Sequence, residues 1–76
     1  MYFVIYFESL IDKENVGFFQ KFKKVGFWSV NNTKCARRFK TNIEANNVLK
    51  RLKKIEGKYY NFKILKMEGQ EWKIKI

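Results

Sequence analysis

Histidine and proline are absent from this 76-residue chain, and cysteine occurs once, at Cys35. Without histidine the chain lacks the commonest general base and the commonest metal ligand. A single cysteine cannot form an intrachain disulfide, and without histidine it cannot build a structural zinc site within one chain. The sequence therefore predicts a protein without metal or cofactor in a reducing compartment, and we interpret Cys35 as a small strand residue.

Glycine is also scarce, with four residues that stand apart at positions 17, 26, 57 and 69. A phosphate-binding loop needs several glycines close together in the chain, so no such loop is present. The seven carboxylates are scattered, and only Asp12 and Glu14 form a near pair, in a polar segment that we interpret as a solvated loop. No arrangement of catalytic side chains is found, and the chain is predicted not to be an enzyme.

The longest apolar run is short and lies at the N-terminus, from Met1 to Phe7. A membrane-spanning helix requires about 20 apolar residues, far more than this run contains. The run also lacks the basic segment and the small-residue cleavage site of a signal peptide. We therefore expect a cytoplasmic protein without a membrane partner, folded as a single domain over residues 1–76.

Acidic residues are nearly missing from residues 21–66, where fourteen of the seventeen lysines and arginines lie. Glu44 and Glu56 are the acids of that stretch, so its net charge is +12 (14 − 2), whereas residues 1–20 carry −2 (1 − 3). Such a one-sided field attracts anions and destabilises a compact domain through self-repulsion. The distribution predicts a polyanionic partner, most often nucleic acid.

Aromatic residues are plentiful and can supply the core, because each large ring buries about 150–250 Å². The all-apolar run Tyr2–Phe7 predicts a strand that is buried on both faces and central in its sheet. A ragged strand pattern follows over residues 18–30 and is interrupted by Gly26, where we expect a bulge or bend. Residues 31–33 form a polar turn, and residues 34–40 are predicted to be the returning strand of a hairpin.

The strongest local pattern lies between Thr41 and Gly57. Thr41 and Glu44 match a capping box, in which each side chain accepts a hydrogen bond from the other residue's backbone amide. Apolar residues then recur at helical spacing and predict one buried stripe: Ala45, Val48, Leu49, Leu52 and Ile55. Gly57 has the position of a glycine that ends a helix, so we predict a helix over residues 42–56.

Two alternating apolar and polar segments follow the helix, at residues 60–64 and 71–76, with a turn between them. The predicted element order is β-β-β-α-β-β. We therefore predict an α+β fold with an antiparallel sheet of about five strands and one helix packed on one face. The last strand is a candidate sheet edge, which leaves a homodimer open as an alternative.

The basic residues of the central stretch form two groups that we predict to contact phosphates. A lysine-rich helix face is often only solvated, but two groups of one sign in so small a domain favour an anion-binding surface. The candidates are Lys34, Arg37, Arg38 and Lys40 before the helix, and Lys50, Arg51, Lys53, Lys54 and Lys58 on or after it. Phe27 and Trp28 are candidates for stacking on unpaired bases or for anchoring a protein partner.

Two resemblances accompany these patterns. The junction Arg38-Phe39-Lys40-Thr41, followed by Glu44 and Ala45, resembles the strand-to-helix junction of RNA–DNA hybrid-binding domains attached to some ribonucleases H. A short, lysine-rich chain with this junction and an aromatic first strand also resembles small bacteriophage-encoded proteins that bind host factors. That second resemblance implies an inhibitor of a host protein or of a nucleoprotein defence complex, similar to anti-CRISPR proteins.

The sequence therefore leads to three hypotheses for the function of the protein. The first is a non-enzymatic module that binds the phosphate backbone of nucleic acid. The second is a phage-encoded inhibitor whose basic face occupies an acidic or nucleic-acid-binding surface of a host protein. The third is sequestration of a small anionic nucleotide.

Overall fold

The computed structural model of the chain describes residues 1–68. This part of the chain contains one helix and four strands, arranged in an antiparallel sheet of order β3-β2-β1-β4. The α+β class is confirmed, but the sheet has four strands here instead of five. The strand predicted over residues 71–76 lies outside the described residues. The elements are β1 (Tyr2–Ser9), β2 (Val16–Phe22), β3 (Phe27–Val30), α1 (Asn42–Glu56) and β4 (Tyr60–Met67).

β1 lies between β2 and β4, as its all-apolar sequence predicts. Successive side chains of a strand point to opposite faces of the sheet. Ile5 and Phe7 belong to the cluster that packs beneath α1, which we call the helix face. Val4 belongs to a second cluster on the opposite side, the outer face, together with Phe18 and Ala36. Both faces of β1 are therefore covered, and Val4 and Ile5 are fully buried.

The pattern predicted as one strand over residues 18–30 is divided into β2 and β3 by a tight turn. Gly26 has a φ of +84° in this turn, and the Lys23 amide donates to the Gly26 carbonyl over 3.2 Å. Gly26 therefore makes a hairpin turn, and the bulge lies earlier, between Phe19 and Lys21. The apolar pattern hides the turn because Val25 continues it, although this side chain is 82% exposed.

Gly26→Ala is expected to lower the free energy of unfolding by about 1–2 kcal/mol, because a positive φ brings Cβ against the following carbonyl. Crowding contributes little, since a Cβ at this position meets Lys23 Cε at 3.5 Å and Glu56 Oε1 at 3.6 Å. Urea unfolding followed by tryptophan fluorescence measures the difference. Val25→Ala in the same turn is the control and should change stability by less than about 0.5 kcal/mol. Equal effects of the two changes would contradict the strain argument.

Residues 34–40 do not form the predicted strand. The segment begins as a turn that contains Cys35, which is exposed and is not a strand residue. Phe39 then exchanges two backbone hydrogen bonds with Phe3, of 2.8 and 2.9 Å, and the Arg37 amide donates to the Phe19 carbonyl over 3.0 Å. Residues 37–39 thus join the start of β1 to β2, where the direct pairing of those two strands has ended.

The helix prediction is confirmed at both ends, because α1 covers the predicted residues 42–56. The Thr41 hydroxyl accepts a hydrogen bond from the Glu44 amide over 3.2 Å, but the Glu44 side chain accepts none from the Thr41 amide, so only half of the predicted capping box forms. Gly57 differs from the expected left-handed terminus, since its φ of −64° and ψ of −16° are right-handed. Its amide donates to the Lys53 carbonyl over 3.1 Å, and a Cβ on Gly57 would collide with that carbonyl. Because Gly57 has no side chain, its backbone can approach the Lys53 carbonyl closely.

Aromatic rings form most of the core beneath α1. The Phe7 ring lies 5.2 Å from Phe27, 5.4 Å from Tyr60 and 6.4 Å from Phe62, measured between centroids. Such edge-to-face and tilted pairs add to the stability gained by burial. From the helix, Ala45 and Leu52 are fully buried against this cluster, whereas Ile55 is 48% exposed and is only a marginal member of the predicted stripe. α1 is not long and apolar enough to cross a membrane.

Candidate nucleic-acid interface

The exposed side of α1 carries a set of lysines that we call the basic helix surface, formed by Lys50, Lys53 and Lys54 with Lys58 just beyond the helix. They are exposed because the helix turns its small and apolar residues toward the sheet. Lysines three and four positions apart are neighbours on a helix and repel each other by about 0.2–0.5 kcal/mol per pair. The fold therefore loses some stability by keeping these lysines.

None of the described carboxylates pairs with this surface. Within residues 1–68, the four lysines make no ion pair with either Glu44 or Glu56, the acids of the central stretch. An ion pair is formed elsewhere, between Lys66 Nζ and Glu68 Oε1 at 3.3 Å, and both of its side chains are largely exposed. Exposed pairs of this kind contribute little to stability. The basic helix surface is therefore open to anions from solution.

Two arginines lie over aromatic rings of the helix-face cluster, and we call them the arginine rim. The Arg51 guanidinium carbon is 4.0 Å from the Phe22 ring centroid, and that of Arg37 is 5.7 Å from Phe39. Phe22 packs on Phe19 at 4.9 Å, and the Phe19 carbonyl accepts from the Arg37 amide. A guanidinium that stacks on a ring keeps its planar N–H edge for bidentate bonds to phosphate.

The remaining candidates before the helix lie elsewhere. Arg38 covers the Tyr2 ring at 4.4 Å, and Tyr2 belongs to the outer-face cluster. Lys34 lies in the turn before Ala36, which covers the same outer face. Lys40 is exposed and directly precedes the N-cap of α1. The sheet thus separates Lys34 and Arg38 from the basic helix surface, so the nine predicted residues do not share one face.

Phe27 and Trp28 have different surroundings, although they are neighbours in the chain. Phe27 is partly buried, with its centroid 5.5 Å from Tyr60 and 5.7 Å from Phe62. Its ring packs against the helix-face cluster and keeps a partly exposed surface. Trp28 is 51% exposed on β3, at the edge of the sheet, and Lys23 Nζ lies 4.8 Å from its ring centroid. Trp28 remains a candidate for stacking or anchoring.

A groove of about 320 Å³ lies between the β2–β3 turn and the end of α1. The sequence did not indicate it, because its lining comes from four separate parts of the chain, and alternation along one strand cannot reveal such a meeting. In the sequence, the groove is visible only as single polar residues that stand next to glycine or aromatic residues. The lining residues are Phe7, Asn15, Lys23, Val25, Gly26, Phe27, Ser29, Glu56 and Tyr60.

Tyr6 on the outer face has a perturbed pKa. Burial and then the negative charge of Glu8 raise this pKa above the ordinary value of 10.0. The folded state therefore holds the phenol proton more tightly than the unfolded state. The resulting stability is present below pH 10 and is lost as the pH rises through the folded pKa.

Glu8→Gln should lower the pKa seen by ultraviolet titration of tyrosine, whereas Glu14→Gln should not.

No group of three or more cysteine, aspartate or glutamate side chains within residues 1–68 is placed to hold a metal ion. Comparison of the chain with models of protein families, with curated proteins and with solved structures finds no significant match.

Proposed function

We propose that this protein binds nucleic acid through the phosphate backbone, with the basic helix surface and the arginine rim as its contacts. One observation supports this above all: exposed Lys50, Lys53 and Lys54 make no ion pair within residues 1–68. Neighbouring lysines that repel each other weaken the helix. A polyanion bound across them would turn that repulsion into attraction and release counterions.

The geometry suits a backbone more than a base sequence. Lys50 and Lys54 are one helical turn apart, about 6 Å along the axis, so they can contact neighbouring phosphates of one strand. Lysine acts as a point charge, whereas the stacked Arg51 and Arg37 present planar donors. Phosphate contacts position a protein on nucleic acid without reading its sequence. We therefore expect weak sequence preference and strong salt dependence.

Fluorescence anisotropy tests this proposal. Labelled single- and double-stranded DNA and RNA are titrated with the protein at several salt concentrations and at constant pH. A steep linear decrease of log K with log salt concentration is expected, and its slope counts the phosphate contacts. A Kd above about 100 μM for every strand type at physiological salt would overturn the proposal.

One observation favours the second hypothesis, an inhibitor that binds a host protein or a nucleoprotein defence complex. Leu10, Ile11 and Tyr59 are large apolar residues that are at least half exposed, with Ile11 at 80%. They lie together, since the Leu10 amide donates to the Tyr59 carbonyl over 2.8 Å. Exposed apolar groups of this kind can anchor a protein partner, while the lysines speed association.

Substitution of this apolar group separates the two functions. Leu10→Ser with Ile11→Ser leaves all lysines in place, so nucleic-acid binding should keep its affinity and salt dependence. A protein partner anchored at Leu10 and Ile11 would lose affinity, and surface plasmon resonance with that partner would measure the loss. Impaired oligonucleotide binding by this variant would argue against the proposed phosphate contacts.

A further inference from the structure

The groove beside the β2–β3 turn has an aromatic floor. Phe27 and Tyr60 line it, are each partly exposed, and pack against each other with centroids 5.5 Å apart. Its volume of about 320 Å³ is close to the lower end of the range for small-molecule sites, about 300–1,000 Å³. A single flat ring system with a small substituent therefore suits the groove better than an extended ligand.

Several polar side chains at the rim of the groove have no partner in the part of the chain that the structure describes. Within residues 1–68, the side chains of Asn15, Ser29 and Glu56 make no hydrogen bond and no ion pair. A few converging polar groups around an apolar floor are the usual composition of a ligand site. Because residues 1–68 do not satisfy these groups, they are available to a ligand or to water.

Two charged side chains reach the groove near Gly26. A Cβ built on Gly26 would be 3.5 Å from Lys23 Cε and 3.6 Å from Glu56 Oε1. The two side chains nevertheless form no ion pair with each other. The groove thus offers, near Gly26, a cation for an anionic group and a carboxylate for hydrogen-bond donors.

We infer that the groove binds an unpaired nucleobase of a single-stranded nucleic acid, guanine in preference to the other bases, with its phosphate at Lys23. An ionised carboxylate only accepts hydrogen bonds. Guanine presents two adjacent N–H donors on its pairing edge, whereas adenine presents one amino group beside an acceptor. That edge is occupied in a duplex, so the base must be unpaired. This inference rests on the proposed function and adds a base-binding site to it.

NMR titration of the ¹⁵N-labelled protein with guanosine 5′-monophosphate, adenosine 5′-monophosphate and inorganic phosphate tests the inference. The guanosine nucleotide should shift the amide signals of Asn15, Gly26 and Ser29 and bind at least threefold more tightly than the adenosine nucleotide. Inorganic phosphate should leave Ser29 unchanged. Equal affinities for the two nucleotides, or shifts confined to α1, would overturn the inference.

Matched variants locate the site. Lys23→Ala should weaken binding of the guanosine nucleotide about tenfold, because a charge-assisted bond is lost. Lys24→Ala is the control, since this exposed neighbour has the same charge and does not line the groove. Glu56→Gln should bring the two nucleotide affinities close together, and it leaves the helix intact because a glutamate near a helix C-terminus is unfavourable. An equal loss in the two lysine variants would overturn the assignment of phosphate to Lys23.

Ser29→Leu, which fills the groove without changing charge, separates this inference from the proposed function. The variant should lose nucleotide binding and keep the salt slope of oligonucleotide binding measured by anisotropy. If oligonucleotides fail to bind the unaltered protein while the guanosine nucleotide still binds in the groove, the backbone proposal falls. If oligonucleotides bind and neither nucleotide shifts the groove signals, the base-binding site falls.

Discussion

Replacing Lys50, Lys53 and Lys54 by alanine should weaken binding to duplex DNA on the order of a hundredfold at about 0.15 M salt. The slope of log K against log salt concentration should become shallower by about 2.7, because each lost phosphate contact contributes about 0.9. On a single strand the corresponding contribution is about 0.7 for each contact, so the change should be about 2.1. Anisotropy titrations of both proteins over the same salt series measure this difference.

The alanine variant should remain folded. All three lysines are exposed, and alanine is the best helix former. Lys53 and Lys54 lie in the last turn, where a cation stabilises the helix by about 0.3–1 kcal/mol. The removal of lysine–lysine repulsion offsets this loss. Circular dichroism should therefore show a similar melting temperature for the two proteins.

Removal of the same net charge elsewhere provides the control. Lys21, Lys63 and Lys66 are exposed and lie on the strands. Their replacement by alanine lowers the general field of the protein by the same three charges without touching α1. This variant should lose less affinity and keep most of the slope. Equal slope changes in the two variants would show that the general electrostatic field, and not direct phosphate contact by the α1 lysines, determines binding. An unchanged slope in the helix variant would remove α1 from the interface.

The sequence predicts α1 to the residue because all of its signals are local. The threonine cap, the glutamate three residues later and the apolar stripe act within a few turns of one helix. β1 is likewise recognisable, since an unbroken apolar run of strand length has to be buried on both faces. These features depend on residues that are close together in the chain.

The sequence predicts the strands and turns of residues 18–40 incorrectly, because their boundaries depend on contacts between residues that are distant in the chain. Residues 37–39 are held by hydrogen bonds to Phe3 and Phe19, which are far from them in the chain. The bulge between Phe19 and Lys21 is a property of the pairing with β3, and no residue type signals it. An apolar pattern that runs through the exposed Val25 cannot show where the chain reverses.

The candidate site shows the same limit. Composition predicts a polyanionic partner, but it does not assign the charges to faces. Arg37 and Arg51 both lie over rings of the helix-face cluster, Phe39 and Phe22 respectively. Lys34 and Arg38 precede the same helix and yet lie toward the outer face. Only the tertiary packing of the rings separates these residues.

Phe27→Ala and Trp28→Ala should have opposite effects, although the residues are adjacent. Phe27→Ala is expected to lower the free energy of unfolding by about 3 kcal/mol, because its ring contacts Phe7, Tyr60 and Phe62 in the core. Trp28→Ala removes a ring that is 51% exposed and should change stability by less than about 1 kcal/mol. Urea unfolding monitored by circular dichroism compares the two variants with the unaltered protein.

For binding, the larger effect is expected from Trp28→Ala. If a base stacks on Trp28, Trp28→Ala loses about 1–3 kcal/mol of binding free energy to single strands, at least several-fold in Kd, and little to duplexes. If Trp28 instead anchors a protein, single-strand affinity stays constant while affinity for that protein falls. Phe27→Ala, measured under conditions where it remains folded, should keep its affinity for duplexes, since its ring lies in the core. Equal destabilisation by the two substitutions would show that Trp28 is structural and would leave the basic helix surface and the arginine rim as the binding contacts.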